Sequence, residues 1–233
     1  MFLLGGTPFS GKTLLAHLLN QGHVVCLDEP DLHDAGQRHR GIAFLRTLFP
    51  DRKFPDQPER DLTYQEAVQL LEQCEEVIRP STLGMKTAGQ VFVEYAKIYR
   101  ASSYPVIGMI RDIRDVLAEG PLPEWIDGER QLSEKFRAVW TNLHLCDLWI
   151  RYEDFVVSPD SVLESISKLI GYDLEPVASW SAESVHGTMF KLDRHDMLRT
   201  GRISRERVGM WRTSGRTFSD DTIMTAEMMG YAQ

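Results

Sequence analysis

The chain has 233 residues, enough for one α/β domain with a sizeable core, and no Ser/Gly/Pro-rich linker divides it, so 1–233 reads as a single domain. Its 34 acidic against 26 basic residues give a net charge of −8, which argues against broad nucleic-acid or membrane-surface binding. Cys26, Cys74 and Cys146 are odd in number, far apart and without metal-ligand spacing, which speaks against a disulfide framework or a zinc site and fits a reducing, cytoplasmic setting.

The first apolar run, Met1-Phe2-Leu3-Leu4, has no basic residue before it and is too short for a signal segment or a membrane span. It reads as a short buried strand. The turn after it, Gly6-Thr7-Pro8-Phe9-Ser10-Gly11-Lys12-Thr13, has the spacing G-x-x-x-x-G-K-[ST] and leads into the apolar Leu14-Leu15-Ala16-His17-Leu18-Leu19. Strand, glycine-bearing turn and helix in that order are the setting a phosphate-binding loop requires. Glycines let backbone N–H groups curl around an anion, and the following helix N-terminus favours negative charge. Lys12 adds a mobile positive charge and Thr13 a hydroxyl.

A second buried strand is expected at 23–27, ending in the polar cluster Asp28-Glu29-Pro30-Asp31. Carboxylates there face the crevice in which open α/β sheets bind ligands. They equally suit a solvated acidic turn closed by Pro30. A helix at 37–48 and the Pro- and charge-rich piece that follows form a segment, 34–62, long enough to be a substrate-facing insertion. Apolar residues at helical spacing predict a scaffold helix over 63–79, opened by a Thr63/Glu66 capping box.

The stretch 82–87 reads as a third strand with Lys86 near its end, and 88–100 as a helix. Lys86 is either a solvated helix cap or a second cation aimed at the ligand. The strand 104–110 runs directly into Arg111-Asp112-Ile113-Arg114-Asp115-Val116-Leu117, whose helix-like spacing puts Arg111 and Asp115 on one face. Arg111 at a strand's C-terminal edge suits bidentate phosphate binding; the alternative is an intrahelical ion pair with Asp115. A helix over 133–145, a strand over 147–152 and a helix from Ser158, with Pro159 at its first position, to Gly171 complete the alternation. The fold expected is α/β, a three-layer phosphate-loop type with a mostly parallel sheet covered by helices on both faces.

The last fifth is basic within an acidic chain: Arg194, Arg199, Arg202, Arg205, Arg207, Arg212 and Arg216 fall within 194–216. Such a segment either closes over a polyphosphate ligand or is a surface loop. The methionines, histidines and most tryptophans read as packing. Trp125, in a Pro-rich loop, is also a candidate for an acceptor pocket.

Taken together, these residues resemble the nucleotide-dependent sulfotransferase family, whose donor is 3′-phosphoadenosine 5′-phosphosulfate (PAPS). Thr7-Pro8-Phe9-Ser10-Gly11-Lys12-Thr13 looks like the family's 5′-phosphosulfate loop. Arg111-Asp112-Ile113-Arg114-Asp115-Val116 looks like its R-[DN]-P-[RK]-D-V element, whose Arg holds the 3′-phosphate. Tyr152-Glu153-Asp154-Phe155, with Pro159 and Leu169-Ile170-Gly171, is similar to its Y-E-D-L…P…L-G segment. Arg202-Ile203-Ser204-Arg205 through Val208-Gly209-Met210-Trp211-Arg212 resembles its cofactor-covering R-x-x-x-G-x-W loop.

The resemblance implies a PAPS-binding site made of the loop residues with Arg111, Arg202, Arg205, Gly209 and Trp211. It implies sulfuryl transfer without a metal to a small-molecule or carbohydrate acceptor, with no nucleic-acid or membrane partner. Departures are visible. Glu119 stands where the family has a Ser eight residues after its Arg, and Ile113 replaces the Pro. Ala88 stands where one branch has its catalytic His. Other branches use a Glu after the second strand, which makes Glu29 the base, with Lys12 and Lys86 as the catalytic cations. The rivals are a phosphate-loop kinase with magnesium on Thr13 and Asp28 or Asp31 as base, and a degenerate nucleotide binder without turnover.

Overall fold

The computed structural model describes residues 1–30, 32–177 and 203–231. Five strands form one sheet in the order β2-β3-β1-β4-β5, and all four strand pairs are parallel. They are β1 (Phe2–Gly6), β2 (Val24–Asp28), β3 (Thr82–Lys86), β4 (Val106–Ile110) and β5 (Leu148–Arg151). Strands buried on both faces read as continuous apolar runs rather than alternating ones, and β1, β3 and β4 are buried along their whole length. β5, at an edge, shows side chains to solvent, among them Trp149.

Helices cover both faces. Against one pack α3 (Tyr64–Ile78), α4 (Gly89–Ala101), α5 (Ile113–Ala118), α6 (Gly128–Trp140) and α9 (Asp220–Met228), joined through Leu3, Val68, Phe92, Phe136 and Ala226. Against the other lie α1 (Lys12–Leu19), α7 (Tyr152–Val157) and α8 (Pro159–Ile170), joined through Phe2, Leu4, Leu15, Phe155 and Leu163. The period-2 alternation of a strand sends neighbouring residues of β1 to these two cores.

Close approach fixes two glycines. A Cβ on Gly5 would stand 1.8 Å from the Phe92 ring, and one on Gly84 2.1 Å from the Phe2 ring. The Thr63/Glu66 capping box forms as expected. The remaining helix, α2 (Ala35–Leu48), is tied to the irregular chain on both sides by Arg38, which donates to the carbonyls of Leu32 before it and Pro58 and Arg60 after it at 2.6, 2.5 and 2.9 Å.

Three sequence expectations change. The helix expected over 133–145 begins five residues earlier, at Gly128, and ends at Trp140, with a separate 3₁₀ turn at Leu143–Leu145. Asp112 caps α5, its carboxylate accepting from the Arg114 N–H at 2.9 Å, so Arg111 lies outside the helix and forms no intrahelical pair with Asp115. Ser158 precedes α8 as expected, but its side chain makes no capping bond. Among the described residues, no helix is long and apolar enough to cross a membrane.

Candidate active site

The C-terminal edge of the sheet collects the polar side chains. The residue after β1 is Thr7; β2 ends in Asp28 with Glu29 next; β3 ends in Lys86 with Thr87 next; β4 is followed by Arg111 and β5 by Tyr152. In open parallel sheets that edge is where ligands bind. Four buried polar atoms there, Thr7 Oγ1, Thr87 Oγ1, Arg111 Nε and Tyr152 Oη, have no hydrogen-bond partner among the described residues. Buried polar atoms are normally paired, so this concentration fits a polar ligand.

The loop between β1 and α1 is built around its backbone. Gly6 lies at φ +134°, and a Cβ there would collide with the Met109 carbonyl at 1.9 Å. Phe9, not a glycine, is held at φ 57°. Gly11, at φ 84°, opens α1 without a side-chain cap, which leaves first-turn amides for an anion. Lys12 is folded back over the loop: its Nζ donates to the Thr7 carbonyl at 2.5 Å and lies 3.4 Å from Ser10 Oγ. Burial, helped by the charge of Lys86, pulls the Lys12 ammonium down to about 7 against the opposing pull of Glu29 and Asp28. Pro8 packs beside Gly89 at the start of α4.

Beside the loop, the Lys86 ammonium donates to Thr13 Oγ1 at 2.9 Å, Asp28 Oδ1 at 2.6 Å and Glu29 Oε1 at 2.8 Å. Strand pairing makes the meeting possible, because Asp28 and Lys86 are register partners in β2 and β3. Burial of Lys86 lowers its proton affinity, but the two carboxylates outweigh this and hold it above its ordinary value. The carboxylates diverge. Burial prevails at Asp28 and raises it, whereas at Glu29 burial is outweighed by Lys86 and Lys12, which hold it below the ordinary carboxylate value. Glu29 also sits at φ 42°, a left-handed conformation that costs energy for a non-glycine residue, pinned by its N–H on the Lys86 carbonyl at 2.9 Å.

Arg111 is buried across the sheet. One Nη donates to Glu119 Oε1 at 2.5 Å and to the Arg207 carbonyl at 2.9 Å, and the guanidinium lies 4.3 Å from the centre of the Tyr152 ring. That ring also supports the phosphate loop, since a Cβ on Gly11 would meet it at 2.7 Å. Tyr152 thus underlies both the loop and Arg111, a position that its place in Tyr152-Glu153-Asp154-Phe155 did not disclose. Asp115 turns away from Arg111 and accepts from the N–H groups of Gly209 at 2.7 Å and Trp211 at 3.1 Å. Trp211 stacks against Arg114 at 3.9 Å. Glu153 accepts from the Asp112 N–H and from the Tyr231 hydroxyl, each at 3.0 Å, tying α5 to the end of α9.

Of the basic segment, Arg205 donates to the Val157 carbonyl at 2.9 Å on the surface, Arg207 reaches Glu119, and Arg216 donates to the Leu117 carbonyl at 2.5 Å. Arg194, Arg199 and Arg202 lie outside the described residues, as do Asp31 and Trp180. At the mouth of the phosphate loop the exposed Phe9 and Trp125 rings stack, with centroids 5.7 Å apart.

No family model matches the chain, and no curated protein matches it in sequence. Solved structures do match in shape. The sulfotransferase domain from the Synechococcus PCC 7002 olefin synthase superposes with a TM-score of 0.67 at 18% identity, covering 100% of this chain and 95% of that domain. The sulfotransferase domain from the curacin biosynthetic pathway gives a TM-score of 0.68 at 15% identity, covering 100% and 98%. Parallel sheet, phosphate loop and full-length superposition together show that the chain has the phosphate-loop fold of sulfotransferase domains.

Proposed function

We propose that the chain is a sulfotransferase that moves a sulfuryl group from 3′-phosphoadenosine 5′-phosphosulfate to a hydroxyl or amine of a small-molecule or carbohydrate acceptor, in line and without a metal. The observation that carries this reading is the Lys86 cluster. In phosphate-loop kinases the loop hydroxyl and a carboxylate hold magnesium. Here the Thr13 hydroxyl and the carboxylates of Asp28 and Glu29 already converge on an ammonium at 2.6–2.9 Å, so a fixed cation occupies the donor set that a kinase reserves for its metal.

The donor supplies an activated sulfuryl group with a phosphate as leaving group. The residues present fit it: the loop amides and Lys12 would hold the 5′-phosphosulfate, and Arg111 the 3′-phosphate, as the resemblance in sequence also implies. Arg111 Nε and Thr7 Oγ1, buried and without partners among the described residues, fit such contacts. Glu29 is held below the ordinary carboxylate value by Lys86 and Lys12 and is more exposed than Asp28, with 43% of its side chain accessible against 17%. It would take the proton of the acceptor. Lys12 and Lys86 would neutralise charge that develops on the leaving oxygen. Segments 30–62 and 118–132, the second carrying Trp125, would shape the acceptor side.

The test is turnover. With a chelator present, the protein should release adenosine 3′,5′-bisphosphate from PAPS when given a panel of alcohols, sugars and amines. Consumption of ATP with magnesium on that panel, and no reaction of PAPS, would instead make it a kinase.

A further inference from the structure

The guanidinium of Arg111 is not idle in this structure. Its strongest partner is the chain's own Glu119, at 2.5 Å, and the other oxygen of that carboxylate lies 3.4 Å from Arg207. Arg111 is 3% exposed, Glu119 23% and Arg207 45%, so exposure rises from the buried guanidinium through the carboxylate to the second arginine. Glu119 follows α5 directly, its N–H on the Asp115 carbonyl at 3.2 Å, which fixes its backbone beside Arg111. An anion that meets Arg111 at Nε, which has no partner among the described residues, shares the guanidinium with a carboxylate already on a neighbouring Nη. Two anions on one buried guanidinium repel strongly, so anion binding drives the carboxylate off Arg111.

Resting on the reading of Arg111 as the 3′-phosphate contact, we propose that Glu119 is a specificity-determining residue of the nucleotide site. It is an internal anion that competes with the 3′-phosphate for Arg111. On binding, the carboxylate leaves Arg111 and keeps its second partner, Arg207. The competition lowers affinity only for nucleotides that carry the 3′-phosphate, and so it speeds release of the bisphosphate product.

The experiment is calorimetric titration of the full chain with adenosine 3′,5′-bisphosphate and with adenosine 5′-monophosphate, for the native protein, Glu119→Gln and Glu119→Ser. Two variants of different size guard against one failing to fold, and thermal melting identifies such a failure. Removing the competitor should tighten bisphosphate binding about tenfold or more, the scale of one charge-assisted hydrogen bond, and leave monophosphate binding unchanged. Equal shifts for both nucleotides, or weaker bisphosphate binding, would overturn the competition while leaving the 3′-phosphate assignment standing. If the native protein and both variants fail to distinguish the two nucleotides, Arg111 does not read a 3′-phosphate, and the competition falls with that assignment.

Discussion

Glu29 and Lys12 each hold a protonation state that their surroundings impose, and both states can be measured. Glu29 lies below the ordinary carboxylate value because Lys86 and Lys12 outweigh its burial, so it is ionised at neutral pH, the state its proposed role as base requires. Glu29→Gln keeps the shape and the Lys86 contact but removes the base; kcat should fall about 10²–10⁴-fold with nucleotide affinity unchanged. A variant that keeps its rate would remove Glu29 from the chemistry. Lys12 is depressed to about 7, so the free protein loses this cation as pH rises through 7. Because kcat/KM reports the free protein, it should decline above pH 7 while kcat holds. An anion seated on the loop restores the charge, so nucleotide binding at pH 8 should take up roughly one proton and at pH 5.5 almost none. Calorimetry in buffers of different ionisation enthalpy reads this directly, and no buffer dependence at pH 8 would contradict it.

At the scale of elements, α5 is a hub rather than a simple continuation of β4. Asp112 caps it, Glu119 follows it, and Asp115 in its middle holds the N–H groups of Gly209 and Trp211. Asp115→Ala leaves two amides without their acceptor, a loss of about 1–3 kcal/mol, concentrated in the segment around Trp211. Hydrogen exchange at the Gly209 and Trp211 amides should accelerate while the strands stay protected; uniform acceleration would mean that Asp115 supports the whole fold instead. This element also marks where sequence reading stops. The i,i+4 spacing of Arg111 and Asp115 suggested a pair, but spacing is silent on where a helix begins, and Asp112 starts this one after Arg111. Likewise α6 begins with Gly128 at φ 74°, a residue that periodicity alone treats as a break.

For the whole molecule, the phosphate loop and the strand-helix alternation were legible because they are local: glycine positions, apolar runs and Pro159 each act within a few residues. The Lys86 cluster was only half legible. Lys86 and Glu29 could each be placed near a strand end, but their contact requires β3 to lie between β2 and β1, a non-local fact of strand order. Tyr152 beneath Arg111 and Arg38 beneath 49–63 were missed for the same reason: their partners are distant in sequence. The sheet also seats α4 closely against β1. Gly5→Ala would drive a methyl into the Phe92 ring, overpacking that costs about 1–3 kcal/mol. Tm should fall by roughly 2–4 °C for each kcal/mol, and adding Phe92→Leu should recover part of the loss. An unchanged Tm in Gly5→Ala would show that the seating is looser than the 1.8 Å approach implies.

The central claim, a nucleotide site in which Lys86 stands where a kinase carries magnesium, is tested most directly by calorimetric binding of adenosine 3′,5′-bisphosphate and of ATP, each with magnesium and with chelator. The arrangement of Lys12, Lys86 and Arg111 predicts that the bisphosphate binds more tightly than ATP and that chelation leaves its affinity unchanged. ATP binding that dominates and disappears on removal of magnesium would contradict it.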